Sequence, residues 1–154
     1  MHEEIAKIYG ERLRIRVCGL LFDDEQLLLV NHHGLNTGDF WAPPGGGIEY
    51  GEPIDLALTR EFVEETGLSI AVHQFAFGCE LIREPLHAIE LFFWVQRTGG
   101  HLIPGHDPEV QIISGSRFFH PGDLQTMDTA TLHGILQIAR SKQDFQQLTG
   151  FYRI

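Results

Sequence analysis

Cysteine is scarce in this chain of 154 residues, where only Cys18 and Cys79 occur. Each sits inside an apolar run and neither belongs to a Cys-x-x-Cys pair, which excludes a disulfide framework. We expect two buried thiols and a reducing, cytoplasmic compartment. Positive charge is also scarce. Eleven Lys and Arg stand against 21 Asp and Glu, a formal charge of −10. Such a surface repels polyanions and excludes non-specific nucleic-acid binding. A small phosphorylated ligand is still admissible where a few arginines or a metal ion reverse the sign locally. Long hydrophobic runs are missing. No apolar stretch approaches ~20 residues, and Met1–Gly10 lacks the apolar core of a signal peptide, so we expect neither a membrane span nor export. Repeats and low-complexity tracts are absent as well. No Gly-Lys-Ser/Thr follows Gly45–Gly47, so there is no P-loop. Gly115-Ser116 lacks the surroundings of a nucleophile elbow. The 9 histidines form no helical His-x-x-x-His and have no cysteine partners, which argues against zinc.

What is present is a chain with 43% hydrophobic residues, enough for one ordinary core in a single domain over 1–154. Leu13–Phe22 and Gln26–His32 read as strands around the polar turn Asp23-Asp24-Glu25. His33–Asp39 reads as a loop. Three glycines after Pro43-Pro44 read as a bend and not as a regular element. Glu52-Pro53 opens a helix, with proline at the first helical position. Ile54, Ala57, Leu58 and Phe62 give that helix one apolar face, and Gly67 ends it. Leu68–Arg83 and Ala88–Arg97 read as two strands around Glu84-Pro85, followed by a loop over Thr98–Pro108. Arg117–Phe119 is a short strand and Pro121-Gly122 a turn. Leu132, Ile135, Leu136 and Ala139 mark an amphipathic helix over Asp128–Lys142. The tail Phe151–Ile154 is left unassigned. Strands, a helix, more strands and a helix predict an α+β, layered arrangement.

The first helix presents Glu61, Glu64 and Glu65 on one side, at offsets of three and four residues. Like charges at these spacings repel, and acids late in a helix oppose its dipole. Two readings account for them. One is a solvated face in which Arg60 pairs with Glu64. The other is a site for a hard divalent cation, which prefers carboxylate oxygens and shares itself with substrate phosphates.

The wider pattern bears on this choice. Gly46, Glu52, Arg60, Glu61, Phe62, Glu64, Glu65, Gly67 and Leu68 fill every specified position of a fixed-spacing motif. Gly46–Leu68 resembles the Nudix box of the Nudix hydrolases. Trp41 to Gly47 is similar to the family's approach to the box, and Asp107-Pro108-Glu109 with Arg117-Phe118-Phe119 to its late segment. The resemblance implies an α/β/α sandwich with a mixed sheet between helices. It implies Mg²⁺ or Mn²⁺ bound by Glu61, Glu64 and Glu65, with Glu52 either binding metal or holding Arg60. Arg60 would orient the ligands. Gly45, Gly46 and Gly47 would let phosphate approach the backbone. The implied reaction is hydrolysis of a nucleoside diphosphate linked to another group. Glu65, and the neighbouring Glu61, are the box candidates for catalysis, with Glu109 as a loop candidate. The spacing from Glu109 to Phe118 is longer than the family pattern.

Pro85, 17 residues after Leu68, is a feature associated with ADP-ribose-hydrolysing members, and equally a turn proline. ADP-ribose or an NDP-sugar is the first expectation. A nucleoside triphosphate pyrophosphatase and a non-cleaving nucleotide sensor are the alternatives. Arg12, Arg14, Arg83 and Arg97 are either phosphate clamps or surface residues. Phe40 and Trp41 either stack a base or pack in the core. The expected partner is a small nucleotide, with no membrane contact. The resemblance leaves a homodimer open.

Overall fold

The computed structural model describes residues 3–32, 38–103 and 113–154. The chain begins with helix α1 (Glu3–Tyr9) and runs through strands β1 (Leu13–Leu20), β2 (Phe22–Asp23), β3 (Gln26–His32), β4 (Trp41–Ala42) and β5 (Gly45–Gly47). Helix α2 (Ile54–Thr66) follows. The long hairpin of β6 (Leu68–Arg83) and β7 (Leu86–Gly100) comes next, and then β8 (Ile113–Phe119). Short helices α3 (Pro121–Thr126), α4 (Ile135–Ile138) and α5 (Lys142–Gln147) lead to β9 (Phe151–Arg153).

The architecture is α+β. A five-stranded mixed sheet has the order β5-β1-β7-β6-β9, and β2, β3, β4 and β8 form a second, antiparallel sheet. Alternation along the strands sends side chains to two cores. Val17, Leu28 and Val95 pack with Ala57, Leu58 and Phe62 of α2. Cys18, Leu29, Phe77 and Phe92 face the other way, onto Ile135, Leu136 and Phe145. The sheets therefore lie between α2 and the C-terminal helices. Both thiols are buried and unpaired. Among the described residues no helix is long and apolar enough to cross a membrane.

Three expectations are corrected. Gly45–Gly47 is a strand, pairing antiparallel with β1 in the register Cys18↔Gly45, Val17↔Gly46, Arg16↔Gly47. A ladder needs only backbone N–H and C=O groups. A Cβ on Gly45 would overlap the Val17 carbonyl and the Cys18 Cα, so glycine permits this pairing. Second, Pro121-Gly122 opens α3 instead of turning: proline occupies the first helical turn, and buried Leu124 anchors the segment. Third, the helix over Asp128–Lys142 is broken into a 3-10 turn (Thr129–Thr131), α4 and α5. The apolar positions are right, since Leu132, Ile135, Leu136 and Ala139 are all buried. The continuity fails because Asp128 caps the 3-10 turn, while Ser141 and Asp144 form a capping box that starts a new helix.

Helix α2 begins at Ile54, one residue later than expected, with Pro53 extended at its N-cap. Gly67 closes it in the left-handed conformation, φ 77°. β7 continues through Thr98–Gly100, the first part of the expected loop, and the tail adds β9 beside β6.

Phe62 is fully buried at the centre of the α2 core, and Val63 next to it is 51% exposed. Phe62→Ala is expected to cost about 3–5 kcal/mol in urea denaturation. Val63→Ala should stay within about 0.5 kcal/mol. Equal effects would mean that the face of α2 is misassigned.

Candidate active site

Helix α2 lies against the glycine strand β5, and the contact is made by polar groups. Arg60 is its hub. Its Nε and Nη2 donate to the two oxygens of Glu52 at 2.8 and 2.9 Å. Nη2 also donates to the Gly47 carbonyl at 3.2 Å. Nη1 donates to Glu61 at 2.9 Å and to Glu64 at 3.4 Å. One guanidinium thus joins the helix, the strand and the turn between them. Glu52 also accepts from the Glu49 backbone N–H at 3.2 Å. The hydrogen bonds from Arg60 hold its carboxyl below the usual range. Both Glu52 oxygens accept from Arg60.

Glu61 and Glu65 differ from Glu52. Burial raises the pKa of Glu61, with Arg60 opposing and Glu64 adding. Glu65 is raised well above the carboxylate range, first by burial and then by the Glu61 charge. Its Oε1 accepts from the Gly45 N–H at 3.1 Å. Its Oε2 is buried without a hydrogen-bond partner and faces His32 Nε2 at 3.7 Å. Gly46 supplies the room: a Cβ there would overlap the Glu61 carboxylate.

A hard divalent cation fits these residues. The donors are carboxylate oxygens, one is buried and orphaned, and glycine leaves the cradle open. Among the described residues, no three His, Cys, Asp or Glu side chains already stand around one point. A bound ion would therefore complete its shell with water and ligand oxygens, as Mg²⁺ commonly does.

Glu61, Glu64, Arg60 and Gly45–Gly47 line a cavity of about 380 Å³, within the usual size range of small-ligand pockets. Glu65 stands behind the glycine strand, against the Gly45 N–H. Glu109 falls outside the described residues. Arg12, Arg14 and Arg83 line the cavity, whereas Arg97 does not and donates to the Gly100 carbonyl at 2.6 Å. Phe40 lines the cavity with most of its ring buried. Trp41 packs edge-on against Phe119 at 4.8 Å.

Sequence reasoning missed a second polar group. Glu90 is fully buried in β7, where Arg16 Nη1 and His133 Nε2 both bond to it, the latter at 2.8 Å. The Ile135 N–H donates to His133 Nδ1 at 3.1 Å, which fixes the ring. Burial would raise the Glu90 pKa, but His133 and Arg16 outweigh it and hold the group at about 2. Arg16 reaches the cavity, and its Nε is buried without a partner. His32 is held at about 3, by burial and by the charges of Arg16 and His133. A signal existed: Glu90 is a lone acid in the apolar run Leu86–Val95, and a charge there demands a buried partner.

The family profile described as NUDIX domain matches residues 12–137. An ADP-ribose pyrophosphatase of Methanocaldococcus jannaschii is 33% identical over 95 residues, 60% of this chain and 56% of that protein. The nucleoside triphosphatase NudI of Salmonella heidelberg is 46% identical over 59 residues, 36% of this chain and 41% of that protein. The matches thus span about half the length of these curated relatives. Among solved structures, a NUDIX hydrolase from Nitrosomonas europaea superposes with a TM-score of 0.71 at 20% identity, covering 82% of this chain and 84% of that one, a likeness of fold.

The raised pKa of Glu65 has a sign that can be tested. A carboxyl whose folded pKa lies above its unfolded value keeps its proton longer in the native state. Stability then falls as pH rises past the ordinary carboxyl range. Glu65→Gln removes this loss. In chelating buffer at pH 8 the variant should melt above the parent, by roughly 2–4 °C per kcal/mol recovered. The gap should narrow at pH 5. Parallel melting profiles across this range would refute the assignment.

Proposed function

Because this chain belongs to the NUDIX domain family, we propose that it hydrolyses a phosphoanhydride bond in a nucleoside diphosphate joined to a second group. The observation that carries the reading is the set of desolvated carboxylates against β5, with the Glu65 oxygen left orphaned. Binding alone does not call for so costly an arrangement, which disfavours a nucleotide sensor. Glu61, Glu64 and Glu65 would hold Mg²⁺ or Mn²⁺. Once bound, the metal would offset phosphate charge and lower the pKa of water.

The chain's own groups supply the rest. Gly45–Gly47 admit a phosphate close to the backbone, where a side chain would block it. Arg60 keeps Glu61 and Glu64 in register with the strand and holds Glu52 as its anchor. Water forms the new P–O bond and the anhydride P–O bond breaks. The proton goes to a carboxylate of the Glu61 and Glu65 pair. Both carboxyls stand against the glycine strand at the helix face, within reach of a water placed there. Glu109 is the rival base. Glu65→Gln or Glu61→Gln is expected to lower kcat by about 10²-fold or more, while Glu109→Gln retains turnover. The reverse result moves the base to the late loop.

ADP-ribose or an NDP-sugar is the first substrate class, in keeping with the relative named ADP-ribose pyrophosphatase. A nucleoside triphosphate is the second reading, favoured by the relative named nucleoside triphosphatase. The two buried, unpaired thiols suit a cytoplasmic setting. Product analysis across ADP-ribose, NDP-sugars and nucleoside triphosphates, with and without Mg²⁺, tests the reading. Cleavage of none by folded protein would end it.

Gly46→Ala separates site from fold. The added methyl meets the flexible end of Glu61 and no backbone. The melting temperature should hardly move, while kcat/KM falls on the order of ten- to a hundredfold and more Mg²⁺ is needed. Unchanged kinetics would show that the Glu61 position is immaterial.

A further inference from the structure

Arg16, Glu90 and His133 form a polar group that the core does not call for. A buried ion pair is often matched or bettered by apolar residues of similar volume. The surroundings here are apolar: Phe92, the next residue on the same side of β7, packs in one core with Cys18, Ile135 and Leu136. The acid of the pair is fully provided for. Glu90 Oε2 accepts from Arg16 Nη1, and Oε1 from His133 Nε2 at 2.8 Å. His133 is itself fixed, because its Nδ1 accepts the Ile135 N–H and so leaves the proton on Nε2.

The cation of the pair is not provided for. A guanidinium offers N–H donors on all three nitrogens. Of these, Nη1 meets Glu90, Nη2 reaches the Gly45 carbonyl only at 3.5 Å, and Nε is buried without a partner. The Arg16 side chain is 19% exposed while that of Glu90 is wholly enclosed, and Arg16 lines the cavity. The pair thus turns its acid into the core and its cation toward the cleft. Register fixes where in the cleft. Arg16 stands opposite Gly47 of β5 on one side and opposite Glu90 of β7 on the other. The charges of Glu61 and Glu65 lie near enough to act on it. An under-used guanidinium therefore stands beside the glycine strand and close to the acids assigned to the metal.

We propose that Arg16 is the protein's own ligand for a non-bridging oxygen of the substrate diphosphate, and that Glu90 and His133 are positioning residues that aim it. This rests on the pyrophosphohydrolase reading and adds a phosphate contact made by β1 and not by the metal. A forked guanidinium matches phosphate oxygens, and its bond to one is charge-assisted. Held by Glu90, the side chain loses little further freedom when the ligand arrives.

Calorimetry with α,β-methylene-ADP, whose P–C–P bridge resists cleavage, tests the assignment in the presence of Mg²⁺. Arg16→Gln should weaken binding about tenfold or more, without weakening Mg²⁺ binding by the protein alone. Arg16→Lys keeps a charge opposite Glu90 but loses the fork; it should also bind the analogue several-fold more weakly, and it carries the test if Arg16→Gln does not fold. Glu90→Gln should weaken binding too. Its effect should largely vanish in an Arg16→Gln background, since Glu90 acts through Arg16. A role in stability alone predicts a lower melting temperature with unchanged affinity in the folded variants. Unchanged affinity in the Arg16 variants, or no measurable binding of the analogue by the parent, overturns the proposal. Fully additive losses overturn the positioning role of Glu90. Arg16-dependent binding of the analogue, with no cleavage of ADP-ribose, NDP-sugars or nucleoside triphosphates, supports the assignment and counts against the hydrolase reading instead.

Discussion

The site depends on how closely the strand Gly45–Gly47 approaches its neighbours. On one side it pairs with β1 at a distance that excludes a Cβ from Gly45. On the other it meets α2 through the Gly45 N–H to Glu65, the space at Gly46 taken by Glu61, and the Gly47 carbonyl to Arg60. Each glycine thus receives one residue of the helix. The helix register and the strand register cannot slip independently, because the hydrogen bonds and the missing side chains must match together. The acids are carried by a helix whose apolar face, around Phe62, is locked into the core. Their position is a consequence of packing before any ligand arrives.

Charge is distributed unevenly around that contact. Arg60 gathers Glu52, Glu61 and Glu64 around one guanidinium, a fork geometry that a lysine could not reproduce. Glu65 is left with one oxygen unsatisfied in the interior, and Arg16 with one nitrogen. These are the two orphaned buried side-chain atoms among the described residues, and their residues contact Gly45 from either side. An unpaired buried polar atom costs on the order of 1–3 kcal/mol. The fold tolerates this strain where chemistry is expected, consistent with the general conflict between stability and function.

Much of this was legible in the sequence, for identifiable reasons. The acid ridge follows from offsets of three and four residues on a helix whose ends Pro53 and Gly67 announce. Alternation located β1 and a Leu-rich run located β3, and burial of the two cysteines followed from the apolar runs around them. The glycine strand was not legible, because its rule is the absence of side chains and its partner strand is remote in sequence, in the pairs Cys18↔Gly45, Val17↔Gly46 and Arg16↔Gly47. The helix over Asp128–Lys142 failed for the opposite reason. Its apolar spacing is genuine, but Asp128 and Ser141 compete locally for backbone N–H groups and restart the chain. Arg16, Glu90 and His133 escaped because their bonds link positions up to 74 residues apart, and single-strand alternation treats each charge as outward-facing.

The buried trio of Arg16, Glu90 and His133 bears on how the cavity works as a whole. A guanidinium on β1 with a free path to solvent would turn outward, since hydration outweighs a weak surface contact. Glu90 has no exposure and sits opposite Arg16 in the parallel pairing of β1 with β7. It therefore holds the cation at the cavity floor, and His133 holds Glu90. The result is a cleft with carboxylates on the α2 face and arginines along β1. Such a cleft favours a ligand whose own charge is ordered along its length.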